Sequence, residues 1–428
     1  MRDVAAVRVI ELDRVAGEDL EALLEVVERV LFDCEMDGPP LGLVGISCWT
    51  SMHYLGALAV ARRVRELAPH VPIVVGGHHA TALPSDFDHA VCDWVVRHDG
   101  EEPLRRLCRE WPARPPAMGI LEGGAFDQAR TDHIDWDHYG GPSARGGALW
   151  IGTSRGCAFK CDFCVEPGRG ARYSRYSVEA QLGILQRLVA RVGPRAIAFS
   201  DPLFGANRSW LIAFLDGLER LRLPVSFWCE TRADLMSPET LEGFKRCGFM
   251  VDFGLDTASP TMIARMHKAA SAETYLARAR DTFDEANRIG LHHGIYLVFN
   301  FPGETPETTR ETMAWVEGIG AGDPARPLAG WLSCQTFFIL PGTAAWHRMA
   351  DDHARDGTEI AHPAWWKESG EHHALATRVL PHRAWRGREH ELRAFQLWNQ
   401  QVNVAWSARY APEVAAFRQR FLTGGTDP

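Results

Sequence analysis

Three cysteines stand close together in the segment Thr153-Ser154-Arg155-Gly156-Cys157-Ala158-Phe159-Lys160-Cys161-Asp162-Phe163-Cys164. Thiolates at such spacing are ligands of iron–sulfur clusters. Three local donors leave one iron of a [4Fe–4S] cluster without a protein ligand. An open iron can take nitrogen and oxygen donors from a substrate or cofactor. The competing chemistry is structural zinc, which needs a fourth Cys or His at matching spacing, and none lies close in sequence. The other seven cysteines (Cys34, Cys48, Cys92, Cys108, Cys229, Cys247, Cys334) are scattered and read as small apolar core residues. The chain opens without a basic stretch followed by an apolar run, so the pattern reads as reduced cytoplasm with one metal site.

The cysteine segment must sit in a loop, because it follows a short apolar strand at Leu149–Thr153. From there strands and helices alternate. Strands are expected at Ala196–Phe199, Val225–Cys229, Met250–Gly254, Gly294–Val298 and Leu332–Ile339. Helices are expected at Val178–Val192, Arg208–Leu221, Pro238–Arg246, Ala272–Ile289 and Pro306–Ile319. Six such units are too few for a closed eight-unit barrel and suit an open, partial one.

The first 110 residues alternate in the same way. Val7–Leu12, Gly42–Cys48, Ile73–Gly76 and Asp93–Val96 read as strands. Glu18–Phe32, Tyr54–Leu67 and Glu102–Glu110 read as helices. A parallel sheet of doubly wound, Rossmann-like type follows, with ligands expected at the C-terminal strand ends, where the loops Trp49–His53 and Gly76–Ser85 lie. Residues 111–147 are punctuated by WPARPP, EGG and GGPSARGG and read as a linker. The stretch 346–428 is helical and rich in tryptophan, and it reads as a cap packing its aromatics on the barrel. The fold class is therefore α/β: domain 1–110, linker 111–147, partial (β/α)6 barrel 148–345 and helical C-terminal cap 346–428.

Net charge is −9 and no run of Lys or Arg stands out. Phosphate binding needs concentrated positive charge, so no nucleic acid partner is expected. No apolar segment reaches membrane-spanning length, and no membrane partner is expected. A small-molecule or peptide substrate fits this balance better.

The C-x3-C-x2-C spacing, with aromatic Phe163 before the last cysteine, resembles the radical S-adenosylmethionine enzymes. The resemblance extends in order along 148–345. Phe199-Ser200-Asp201-Pro202 stands where many relatives carry Gly-Gly-Glu, with Asp201 as acceptor for the methionine amino group. Glu230-Thr231-Arg232 ends the third strand. It implies that Arg232 pairs with the methionine carboxylate and that Glu230 accepts from the ribose or amino group, with loop salt bridges as the equal alternative. Gly254-Leu255-Asp256-Thr257-Ala258-Ser259 is similar to the family's G-L-E-S-G-S, with Asp256 in place of Glu. Leu297 to Thr305, including Val298 and Glu304, resembles the fifth-strand P-G-E-T segment near the adenine. Phe338 to Thr343 resembles the sixth-strand ending. The family implies that the open iron chelates S-adenosylmethionine. Reductive cleavage then yields a 5′-deoxyadenosyl radical that abstracts hydrogen from an unreactive carbon, with an electron from an external flavodoxin- or ferredoxin-type donor.

Residues 41–107 resemble the cobalamin-binding domain that precedes the barrel in one branch of that family. The resemblance implies a corrinoid across the strand ends. Trp49, Thr50 and Ser51 would approach its lower face, and Gly76, Gly77, His78 and Thr81 would line its nucleotide tail. The chain starts almost at the second strand of that domain, which marks it as shortened. His53, His78 and His79 stand as exposed loop histidines or as cobalt ligands.

Two functions remain open at this level. One is a cobalamin-dependent methyltransferase acting on a small metabolite, such as a natural-product intermediate. The other is a cobalamin-independent radical enzyme for rearrangement, cyclisation, dehydrogenation or epimerisation, with the shortened domain as scaffold. An iron–sulfur sensor finds no support. The methylthiotransferases of the same family need a second cluster, which the spacing of Cys34, Cys48, Cys92 and Cys108 does not resemble.

Overall fold

The computed structural model describes residues 19–37, 41–110, 117–124, 147–169, 173–319, 330–368, 379–380 and 383–407. The expected strand Val7–Leu12, most of 111–147 and the end of the cap beyond 407 lie outside the described residues.

The N-terminal sheet holds four parallel strands: β1 (Val44–Ser47), β2 (Ile73–Gly76), β3 (Trp94–Arg97) and β4 (Gly119–Glu122), in that spatial order. The helix Tyr54–Leu67 presents Ala57, Leu58, Ala61 and Val64 as one buried stripe. The fourth strand corrects one expectation. Gly119–Glu122 lies in the stretch read as linker, yet it pairs with β3 over Trp94 to Arg97. Four residues between Pro-rich and Gly-rich flanks give too short a pattern to read, and its stability comes from the non-local ladder.

The second sheet holds six parallel strands in the order β12-β11-β10-β9-β8-β5. These are β5 (Ala148–Ile151), β8 (Ala196–Phe199), β9 (Ser226–Thr231), β10 (Phe249–Asp256), β11 (His292–Phe299) and β12 (Gly330–Thr336). Spatial order follows chain order, with a helix between successive strands, which is the expected partial barrel. A short antiparallel pair, β6 (Ser154–Arg155) and β7 (Ser174–Arg175), braces the base of the cysteine loop. The helices start where the sequence marks them. Ser177, Ser237, Ser271 and Thr305 cap their helices by side-chain oxygen, and Pro238 and Pro306 occupy first turns.

Period-two alternation divides the barrel strands. Phe227, Cys229, Val251, Phe253, Leu255 and Ile295 are buried in the main core cluster, which also takes in residues of the surrounding helices. The alternate residues Trp228, Glu230, Asp252 and Tyr296 share the other face and line the barrel interior. There Asp252 accepts from the Trp228 indole at 2.8 Å and the Tyr296 hydroxyl at 2.6 Å.

The C-terminal region is a cap held by its tryptophans. Trp365 donates to the Ile339 carbonyl, Trp385 to the Glu304 carbonyl and Trp398 to the Glu317 carboxylate, each at 2.9 Å. Asn403 brackets the backbone of Leu332, accepting from its N–H and donating to its carbonyl. A buried indole needs such a partner, and these acceptors belong to barrel loops and edges.

Candidate functional site

The cysteine loop leaves β5 and is fixed at both ends. At its start the buried Asp201 accepts from the Thr153 N–H at 3.0 Å, the Thr153 hydroxyl at 2.7 Å and the Ser154 hydroxyl at 2.5 Å. Further on, Asp162 sits between two of the cysteines. Its backbone N–H donates to the Met266 carbonyl, and its carboxylate meets His267 Nδ1 at 2.8 Å and the Arg348 guanidinium. The loop is therefore tied to the neighbouring barrel strand, to the turn after Pro260–Arg265 and to the cap.

All ten cysteines are free thiols. Burial pushes Cys48, Cys92 and Cys164 up to about 12. For Cys48 and Cys92 this means inert, protonated core residues. Cys164 belongs to the trio, where a bound metal would displace the proton. No three His, Cys, Asp or Glu side chains among the described residues are grouped for a single metal ion, the trio included. A tetrahedral zinc would hold sulfurs about 3.8 Å apart, whereas the thiolates of an iron–sulfur cube bind separate irons. Cys157, Cys161 and Cys164 are by residue type and spacing the donor set of such a cube, and two cations face it. Arg232 Nη1 donates to Cys161 Sγ at 3.9 Å, and Lys268 adds positive charge beside Cys161.

The strand-end residues are built as follows. Asp201, expected as acceptor for a methionine amino group, is here engaged by Thr153 and Ser154. Burial raises its carboxyl above the usual range despite these donors. Arg232 is likewise committed. Asp234 takes Nε and Nη2 at 2.9 and 3.1 Å, the Lys268 carbonyl takes Nη2 at 2.9 Å, and the Phe159 ring lies 3.9 Å from the guanidinium carbon. No fork remains for the expected carboxylate clamp. Asp256 stands at φ +59° beside an irregularity in the β10–β11 ladder and pairs with Lys268. Strain of this kind in a non-glycine residue collects at functional sites. Glu230 is reached by water yet recessed among protein atoms. Burial, then the charges of Asp252 and Asp256, push its carboxyl up to about 7. Val298 and Phe163 both pack on the shared core under the N-terminal sheet. Glu304 is buried, its carboxylate accepts from the Asn300 N–H, and burial pushes it up to about 8. Beside it Gly303 stands at φ +91°, and a Cβ there would fall 2.1 Å from Arg265 Nε.

In the N-terminal domain Trp49 is 55% exposed and meets His78 edge-to-face at 4.8 Å. Thr50 caps the turn Ser51–His53 by accepting from the Met52 N–H. Gly76 ends β2. Gly77, at φ +105°, lets the backbone pass Cys48, whose carbonyl would lie 2.4 Å from any Cβ. Thr81 donates to the Gly77 carbonyl and accepts from the His98 N–H. His79 is not an exposed loop histidine but is fully buried. Its Nδ1 meets Ser51 Oγ at 2.8 Å, and its Nε2 lies 3.3 Å from Asp86. Sequence reasoning missed that contact and the role of Asp86, which also takes Trp366 and Lys367. A glycine-opened backbone and an exposed flat indole at the strand ends suit a broad, flat ligand such as a corrin.

The two domains meet at this site. A Cβ on Gly342, in the loop after β12, would lie 2.8 Å from Ala82 Cβ, and one on Gly168 would lie 3.0 Å from the Gly342 carbonyl. Arg155, inside the cysteine segment, pairs with Asp99 and Glu101 of the N-terminal domain at 3.1 and 2.5 Å. A surface cavity lined by Asp216, Arg220, Arg246 and Cys247 lies at the other end of the barrel strands and includes none of these residues. No helix among the described residues is long and apolar enough to cross a membrane.

Comparison with known proteins agrees with this geometry. Residues 151–316 match the radical SAM superfamily, and residues 16–108 match the B12 binding domain. An uncharacterized methyltransferase of Pyrococcus horikoshii is 26% identical over 65% of this chain and 64% of its own length. A tRNA-2-methylthio-N(6)-dimethylallyladenosine synthase of Anaplasma phagocytophilum is 28% identical over 62% of this chain and 55% of its own. The chain thus spans less than two thirds of these curated relatives. Among solved structures, the radical S-adenosylmethionine methyltransferase TsrM from Kitasatospora setae, with tryptophan substrate and aza-SAM bound, has the same fold. Its TM-score is 0.64 at 17% identity, covering 87% of this chain and 80% of that one. The cobalamin-dependent S-adenosylmethionine radical enzyme OxsB follows at 0.59 and 16%, covering 79% and 55%.

Proposed function

We propose that this chain, a radical SAM protein with a B12-binding domain ahead of its barrel, is a cobalamin-dependent methyltransferase. Its substrate on this reading is a small metabolite of natural-product biosynthesis, methylated at an unactivated carbon. The observation that carries the reading is the seating of two barrel loops against the strand-end loops of the N-terminal sheet: the cysteine segment through Arg155 on Asp99, and the loop after β12 through Gly342 on Ala82.

Cys157, Cys161 and Cys164 would hold the cluster, and the loops of Trp49 to Ser51 and Gly76 to Thr81 would face the corrin. When bound, these groups and S-adenosylmethionine supply reductive sulfonium cleavage, hydrogen abstraction and the methyl group. The residues of the chain hold and shield that chemistry. Asp201 and Asp162 fix the two ends of the cysteine loop. Asp256, tied to Lys268, stands at the rim of the barrel. Trp150 and Trp228, with ring centroids 5.2 Å apart, wall the interior beside Glu230. An interior walled by indoles, with the carboxylates of Glu230 and Asp252 among them, suits a small substrate held by a few polar groups. The tryptophan cap closes over the outer loops and limits water. The electron comes from an external flavodoxin- or ferredoxin-type donor. A net charge of −9 without a basic run favours a metabolite over the tRNA acted on by some relatives.

A test incubates anaerobically reconstituted protein with hydroxocobalamin, a low-potential reductant that brings it to cob(I)alamin, and methyl-labelled S-adenosylmethionine. The expected result is corrinoid retained after gel filtration and label transferred to it. No retained corrinoid rejects this reading. One observation favours the cobalamin-independent reading: the hydroxyls of Ser51 and Thr81 are already engaged by His79, Gly77 and His98. Formation of 5′-deoxyadenosine coupled to turnover without any corrinoid would support it.

A further inference from the structure

Arg232 ends β9 with every group of its guanidinium directed. Asp234 holds Nε and Nη2 on one edge. Nη2 also donates to the Lys268 carbonyl. The Phe159 ring, itself in the cysteine loop, covers the guanidinium face at 3.9 Å, with Tyr275 at 5.4 Å. The residue is only 5% exposed. What remains is Nη1, which donates to Cys161 Sγ at 3.9 Å, within range for a hydrogen bond to a large sulfur. Bidentate pairing to Asp234 sets the plane of the fork, so this direction is fixed before any ligand arrives.

We propose that Arg232 is a positioning residue for the iron–sulfur cluster: it donates to the Cys161 thiolate and raises the reduction potential, and does not clamp the carboxylate of S-adenosylmethionine. The inference rests on the cluster reading above. Reduction adds one electron, from a low-potential external donor, to a cluster whose added negative charge spreads onto its thiolates. A buried N–H aimed at one of those sulfurs stabilises the reduced form more than the oxidised one, and hydrogen bonds to sulfur are among the factors that set cluster potentials. Asp234 neutralises the guanidinium from its far edge, so the pair turns its positive end to the sulfur.

The experiment is a spectroelectrochemical titration of the reconstituted, S-adenosylmethionine-free protein, parent against R232Q and R232K, with iron counted in each. The expected result is that R232Q holds less reduced cluster at a fixed poise, about tenfold less. That is a midpoint lowered by about 59 mV for one electron. R232K keeps most of the parent value. An unchanged midpoint in iron-replete R232Q overturns the proposal, above all if affinity for S-adenosylmethionine falls instead, since that is the signature of a carboxylate clamp. Should R232Q fail to take up iron, R232M carries the test. It fills a similar volume without an N–H donor, so its midpoint must also fall, and an unmoved midpoint in iron-replete R232M refutes the claim. Absence of any cluster in the parent protein would instead remove the functional reading itself, so the two failures are distinguishable.

Discussion

The carboxylate of Asp86 accepts the indole N–H of Trp366 at 2.7 Å, joining the N-terminal domain to the cap across 280 positions of chain. The same carboxylate receives Lys367 at 2.6 Å and lies 3.3 Å from His79 Nε2. These donors outweigh burial and hold it down to about 2. Its contribution is therefore present above the unfolded carboxyl value near 3.8 and is lost as pH falls through 2. D86A leaves the buried Trp366 indole without its acceptor and costs about 2 kcal/mol. Urea unfolding monitored by tryptophan fluorescence checks this at pH 7, and an unchanged midpoint would contradict it.

Asp201 is a pin for the cysteine loop. D201N replaces an acceptor with an amide that must turn a donor toward the Thr153 N–H or the hydroxyls beside it. A loss of about 3 kcal/mol is expected, with iron per chain reduced after reconstitution. Parent-like stability and full iron loading in D201N would show that the loop does not depend on this carboxylate.

Glu304 gives stability an unusual pH slope. Its carboxyl sits near 8 in the folded chain because of burial, against about 4.5 when unfolded. Between these values the folded state holds the proton and the unfolded state does not, so stability falls as pH rises. The slope approaches about 1.4 kcal/mol per pH unit. Glu230 acts in the same direction up to about 7. Thermal melts from pH 5 to 9 should therefore decline toward the alkaline side in the parent and flatten between pH 7 and 8 in E304Q. Parallel curves would rule the mechanism out.

Burial and the charges of Asp252 and Asp256 push the Glu230 carboxyl up to about 7. Difference infrared titration of parent against E230Q should reveal one carboxyl with a midpoint near 7. D252N removes a like charge and must lower that midpoint, by about one unit. A midpoint near 4.5 in the parent would mean the barrel interior is as wet as bulk solvent.

Much of this arrangement is legible from sequence, for local reasons. Tyr54–Leu67, Val178–Val192, Arg208–Leu221, Pro238–Arg246 and Ala272–Ile289 begin and end as expected, because caps and apolar faces act within a few residues. The cysteine loop is legible because its donors are adjacent. The commitments of Asp201 to Ser154 and of Arg232 to Cys161 are not, since the partners are 47 and 71 positions apart and only the register of β5, β8 and β9 unites them. His79 looks like a loop residue until Gly77 turns the backbone inward. The strand Gly119–Glu122 is too short to show a period and exists through its ladder with β3.

The central claim is that Cys157, Cys161 and Cys164 leave one iron open to S-adenosylmethionine. Electron–nuclear double resonance of the reduced protein, with S-adenosylmethionine labelled by 15N at the methionine amino group, reads that contact directly. Hyperfine coupling between the cluster and the label is expected, and it should vanish with the cluster signal in C161A. A cluster signal with no coupling to the label, or a protein that binds only zinc, would contradict it.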